Sequence, residues 1–126
     1  MKQILRTLIV DDSVATRMLL RDMLESAGHQ VLAEAENQDE AVKAYAAHKP
    51  DVTTLDLSLA QGDGLSVLKA IRQLDAKAKV VVISGNSQQK VLEMIQAAGA
   101  TGFLAKPFKI DELIAAVERA AGPNQL

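Results

Sequence analysis

Short apolar runs and longer segments of helical period take turns five times along this chain, and that alternation constrains the fold more than any other feature. A strand joined to the next by a crossover helix runs parallel to it, so repeated units of this kind build a parallel sheet with helices packed on both faces. The strand candidates are residues 5–10, 31–35, 52–55, 79–83 and 102–104. Val80, Val81, Val82 and Ile83 form an uninterrupted apolar run, the pattern of a central strand covered on both sides. The fold class that follows is α/β: a doubly wound, five-stranded parallel sheet with five helices.

The helical segments carry their own punctuation. Ser13 is a good N-cap for the first, which keeps Thr16, Leu20, Met23, Leu24 and Ala27 on one stripe and stops at Gly28. Asn37 followed by Glu40 reads as a capping box, with Ala41, Val42 and Tyr45 facing inward. Leu65, Leu68 and Ile71 define the third helix. Ser87 is the expected cap of the fourth, with Val91, Ile95 and Ala98 inward and Gly99 as its stop. Ile110, Leu113, Val117 and Ala120 make the fifth, which ends at Gly122 and Pro123. Met18, Met23 and Met94 sit among Leu and Ile at helical spacing and are read as packing residues. His29 and His48 lie beside turns and are read as surface residues, and Leu92, off the Val91 stripe, as a single exposed apolar residue.

No linker or repeat interrupts the pattern, so residues 1–126 are expected to form one domain without a separate effector. Hydrophobic residues make up 48% but aromatics only 2%, so the core must be packed from aliphatic side chains. With 14 basic and 16 acidic residues and no dense basic run, nucleic acid is not an expected direct partner. The absence of cysteine excludes disulfides and thiolate metal sites. No signal peptide or membrane-length apolar run is present, and a soluble cytoplasmic protein is expected.

In doubly wound sheets the ligand crevice lies beyond the carboxyl ends of the strands. The first strand runs into Asp11 and Asp12, the third ends at Asp56, the fourth at Ser84 and the fifth at Lys106 and Pro107. Three carboxylates at one edge repel unless a cation holds them, and oxygen ligands without His or Cys favour a hard ion, Mg²⁺ in particular where phosphate is also present. Asp11, Asp12 and Asp56 are the candidate metal ligands. Catalysis of phosphoryl transfer consists mainly of positioning and neutralising charge on phosphoryl oxygens, a task for Lys106, Ser84 and Mg²⁺. Asp56 suits the nucleophile that takes the phosphoryl group as an aspartyl phosphate.

Asp11-Asp12-Ser13, Asp56, Ser84 and Lys106-Pro107-Phe108, at these spacings and over essentially the whole chain, resemble the receiver domains of bacterial two-component response regulators. The resemblance implies the flavodoxin-like strand order 2-1-3-4-5. It further implies that Asp11 and Asp12 hold Mg²⁺ with the backbone carbonyl of Ser58 completing the protein ligands. Asp56 then receives its phosphoryl group from a sensor histidine kinase or phosphotransfer protein. Ser84 and Lys106 bind phosphoryl oxygens, Phe103 reorients as the loop after the fourth strand moves, and the Lys106-Pro107 peptide is cis. Ala60 stands where the family commonly has proline, and Phe103 replaces a frequent tyrosine. Ser58 and Asn86 occupy positions that influence the lifetime of the acyl phosphate.

By the same resemblance, a downstream target is met through the face of the fourth helix, fifth strand and fifth helix, here Leu92, Gln96, Phe103, Ala116 and Arg119. The implied protein is a chemotaxis-regulator-like phosphoacceptor, a regulator rather than a turnover enzyme. It is expected to be a monomer, with dimerisation on phosphorylation left open. The competing reading is a small Mg²⁺-dependent phosphatase that turns over an aspartyl phosphate. The haloacid-dehalogenase-like enzymes that work this way place Asp-x-Asp after the first strand and carry a cap, whereas this chain has adjacent Asp11-Asp12 and no cap segment. A mononucleotide or flavin binder ranks last, because no glycine-rich phosphate loop follows the first strand.

Overall fold

The computed structural model describes residues 3–59 and 64–122. Among these, the elements alternate throughout: β1 (Arg6–Val10), α1 (Val14–Ser26), β2 (Gln30–Ala35), α2 (Gln38–His48), β3 (Val52–Asp56), α3 (Gly64–Leu74), β4 (Val80–Ser84), α4 (Gln89–Ala97), β5 (Gly102–Ala105) and α5 (Ile110–Ala121). The strands pair in parallel in the order β2-β1-β3-β4-β5, the doubly wound arrangement expected. Ala60 and Pro123 lie outside the described residues.

Strand alternation divides the interior into two cores, one on each side of the sheet. Leu8, Val10, Leu55, Val80 and Val82 face Ala41, Tyr45, Val67, Leu68, Ile71 and Ile95 of α2, α3 and α4. Ile9, Val52, Val81, Ile83 and Leu104 face Leu20 and Leu24 of α1 and Leu113, Val117 and Ala120 of α5. β3 and β4 are buried along their full length, as strands covered on both faces must be.

Local signals account for most helix ends. Ser13 Oγ accepts from the Thr16 amide, and Gly28 closes α1 at φ +90°, a conformation glycine adopts without steric cost. Asn37 Oδ1 accepts from the Glu40 amide, but the Glu40 carboxylate reaches back one residue further than a capping box does, to the Glu36 amide. The expected Ser87 cap is not formed. Gln88 occupies the N-cap of α4 without a side-chain bond, and its amide donates to Asn86 Oδ1 in a local turn.

Several assignments of exposure are corrected. Met18 and Met94 are 60% and 49% exposed, since Met18 stands opposite Leu20 around α1 and Met94 a residue off the buried Ile95. Ile110 opens α5 ahead of its buried stripe and is also exposed. Leu92 is half-buried and packs on the first core. Ala116 is buried in the second core and presents no side chain to a partner. His29 is buried: its Nδ1 accepts from the Leu5 amide at 3.1 Å and its Nε2 lies 2.9 Å from Glu118 Oε2, filling the gap between the start of β1 and α5.

Candidate functional site

Strand register brings the site residues to one edge. Val10 lies opposite Leu55, Asp56 opposite Ile83, and Ser84 opposite Ala105, so Asp11, Asp56, Ser84 and Lys106 all emerge at the carboxyl ends of adjacent strands. Asp11, Asp12 and Asp56 each offer a carboxylate oxygen within 4.8 Å of the others. Asp11 and Asp56 are buried and Asp12 is half-buried. Two full negative charges at 4.8 Å repel by roughly 3 kcal/mol at the effective dielectric typical of proteins. Burial pushes the Asp11 carboxyl above its ordinary range, and Asp56 and Asp12 push it further; the Ser13 amide and the Lys106 ammonium act in the opposite direction. An oxygen-only cluster of carboxylates is a donor set that suits a hard divalent cation.

Each acidic side chain is held from the backbone up. Asp11 Oδ1 accepts from the Ser13 amide at 2.9 Å. Asp56 Oδ1 accepts from both the amide and the hydroxyl of Ser58, each at 3.0 Å, while Asp56 Oδ2 faces Lys106 Nζ at 3.4 Å. Ser58, expected to contribute through its carbonyl, thus engages Asp56 through its two donors. Ser84 Oγ accepts from the Asn86 amide at 3.0 Å, and the Lys106 amide donates to the Ser84 carbonyl, tying the ends of β4 and β5 together. The Lys106-Pro107 peptide is cis.

Phe103 lies away from the acidic edge, half-buried on the first core. With Leu92, Ile95, Gln96, Ala100, Thr101 and Gly102 it lines a groove of about 260 Å³ between α4 and β5. Gln96 and Arg119 of the proposed partner face are exposed, whereas Ala116 is not. Sequence reasoning missed Arg17, whose Nη1 donates to the Asp11 carbonyl at 2.6 Å and whose Nε donates to Glu34 Oε1 at 3.0 Å. No local motif announces that contact, since its partner Glu34 lies on β2.

Comparison with known proteins identifies the family. The family described as "Response regulator receiver domain" matches residues 7–118. The chemotaxis protein CheY of Bacillus subtilis is 43% identical over 115 residues, covering 90% of this chain and 95% of that protein. The CheY of Thermotoga maritima is 37% identical over 116 residues, covering 92% and 97%. Among solved structures, the CheX-CheY-BeF3-Mg²⁺ complex of Borrelia burgdorferi superposes with a TM-score of 0.84 at 31% identity, covering 87% of this chain and 84% of that one. Vibrio cholerae CheY4 superposes at 0.87 with 25% identity, covering 94% and 99%. With its parallel five-stranded fold, its acidic strand-end cluster and a family match across most of its length, the chain belongs to the response regulator receiver domains, the phosphoacceptors of two-component signalling.

Proposed function

We propose that Asp56 is the residue phosphorylated, in a Mg²⁺-dependent reaction whose donor is the phosphohistidine of a sensor kinase or phosphotransfer protein. The observation that carries this reading is the convergence of Asp11, Asp12, Asp56 and Lys106 at one strand edge. Asp56 Oδ1 is occupied by two donors from Ser58, so Oδ2, on the side of the Lys106 ammonium, is the oxygen that attacks phosphorus. The bond from imidazole nitrogen to phosphorus breaks as the bond from phosphorus to Oδ2 forms, and the imidazole leaves with the electron pair. Lys106 then neutralises charge on the transferred group, with the Ser84 hydroxyl within reach at the end of the neighbouring strand. Mg²⁺, when bound, would be held by Asp11, Asp12 and Asp56, with the Ser58 carbonyl as a further ligand, and would supply the remaining positive charge.

The signal leaves through the face of α4, β5 and α5, with Leu92, Gln96 and Phe103 at the groove between α4 and β5 and Arg119 beside it on α5. Phosphorylation draws Ser84 toward Asp56 and turns Phe103 inward, shifting a two-state equilibrium of that surface. Relatives named as chemotaxis proteins support motility control as the pathway. The protein acts on no substrate other than its own phosphoryl group. Among the described residues no helix is long and apolar enough to cross a membrane.

The test is to incubate wild type and Asp56→Asn with Mg²⁺ and acetyl phosphate and follow intact mass. Wild type is expected to gain a single phosphoryl group transiently and Asp56→Asn none. Continuous release of phosphate from a range of esters would instead establish a phosphatase.

A further inference from the structure

The turn that carries the acidic pair is fastened to β2 on both sides of one residue. The Asp11 amide donates to the Ala35 carbonyl at 2.9 Å, and the Asp11 carbonyl accepts from Arg17 Nη1 at 2.6 Å. Arg17 is in turn held by Glu34, the residue preceding Ala35, through Nε at 3.0 Å. Glu34 is itself fixed by Arg21 Nε at 2.7 Å, and these ion pairs keep its carboxyl below the ordinary range. The Arg17 side chain is only 14% exposed, so this is a shielded contact rather than a loose surface pair.

The Asp11 carbonyl belongs to the planar peptide that joins Asp11 to Asp12. Holding that plane restricts the last backbone torsion of Asp11 and the first of Asp12, and with them the relative direction in which the two side chains leave the backbone. We infer that Arg17, braced by Glu34, is a positioning residue that sets the divalent-cation affinity of the acidic cluster by orienting the Asp11-Asp12 peptide. The inference rests on the reading of Asp11 and Asp12 as metal ligands. Its route is geometric: the guanidinium meets the backbone carbonyl of Asp11, which lies in the peptide that leads to Asp12. A guanidinium bridges the two acceptors because its donors form a rigid fork, which a lysine ammonium cannot reproduce.

The experiment is calorimetric titration of the metal-free protein with Mg²⁺, with thermal unfolding of each variant alongside. Removing an outer-shell support typically weakens metal binding by about tenfold or more, and Arg17→Ala is expected to do so. Glu34→Ala, which touches no ligand, should weaken binding by a smaller factor. The double variant should bind as Arg17→Ala does, because Glu34 acts through Arg17. Arg17→Lys keeps the charge but not the fork, so it too should bind Mg²⁺ more weakly than wild type; it serves as the primary measurement if Arg17→Ala does not fold. Full affinity in Arg17→Lys would replace geometry with a field effect and overturn the inference. A lowered unfolding temperature with unchanged Mg²⁺ affinity would overturn it as well, leaving Arg17 a purely structural role. If wild type itself binds no Mg²⁺, the metal-site reading fails and the inference with it.

Discussion

Adding one methyl group at Gly64 tests whether packing behind the acceptor strand sets the geometry of the site. Gly64 opens α3, and its amide donates to the Leu57 carbonyl at 2.9 Å. A Cβ at this position would meet Leu57 Cα at 2.6 Å, the Asp56 carbonyl oxygen at 2.7 Å and the Leu57 carbonyl oxygen at 2.8 Å. Comfortable carbon contacts begin near ~3.5 Å, so backbone must move by roughly 0.7–0.9 Å, with no flexible side chain to absorb the shift. Two effects oppose one another in Gly64→Ala. Helix propensity favours alanine by about 1 kcal/mol, whereas overpacking costs about 1–3 kcal/mol and straining the amide bond about 1 kcal/mol more. The clash wins because all three contacts are backbone, and a net loss of about 2 kcal/mol is expected. For a domain of this size that lowers the melting temperature by roughly 6–10 °C. The atoms displaced belong to Asp56 and the residue after it, and misplacement approaching 1 Å costs up to about 10² in rate. Phosphorylation by acetyl phosphate at saturating Mg²⁺, followed by intact mass, should therefore slow at least roughly tenfold in the folded variant. A melting temperature at or above wild type, or an unchanged rate, would refute the argument.

Four further substitutions probe the scaffold. His29→Ala removes the acceptor of the buried Leu5 amide and the partner of Glu118, so urea denaturation should show a loss of about 2–4 kcal/mol; a loss below about 0.5 kcal/mol would mean that water replaces the ring at no cost. The hydroxyls of Thr53 and Thr54 are buried without a hydrogen-bond partner, so Thr53→Val and Thr54→Val should each be neutral or stabilising by up to about 2 kcal/mol, and a clear drop in melting temperature in either would contradict this. Glu34 has its carboxyl lowered first by the Arg21 hydrogen bond, so its folded pKa lies below its unfolded one. Its contribution is complete above the unfolded value and is lost as pH falls through the folded value. The gap in melting temperature between wild type and Glu34→Gln should accordingly be open at neutral pH and close in acid, and a gap that widens on acidification would reverse the sign.

The sequence announces what is local. Short apolar stretches mark the strands, and the polar residue that follows each is read from its neighbours, so Asp11, Asp12, Asp56, Ser84 and Lys106 are legible in the sequence itself. Helix ends governed by a side chain that bonds an amide three residues on, as Ser13 does with Thr16, are equally legible. What escaped depends on partners distant in the chain. His29 follows a glycine turn and looks solvated, yet Leu5 and Glu118 converge on it. Met18 and Met94 share a composition with the core but not its angular position. Ala116 was assigned to an outer face, yet its small side chain lies against the sheet among Leu113, Val117 and Ala120.

Arg17 is the instructive case, because its residue type and spacing suggest only an ordinary charged position on a helix. The contact arises because parallel pairing places Glu34 opposite Ile9 and Ala35 opposite Val10, which brings β2 alongside the turn that follows β1. The same register that aligns the acidic strand ends therefore also delivers the brace for the peptide between Asp11 and Asp12. Moving β2 by one residue would send Glu34 to the other face of the sheet and leave Arg17 without its carboxylate partner. Register is thus the step at which scattered residues become a site, and it is set by the apolar pattern of the strands rather than by the acidic residues themselves.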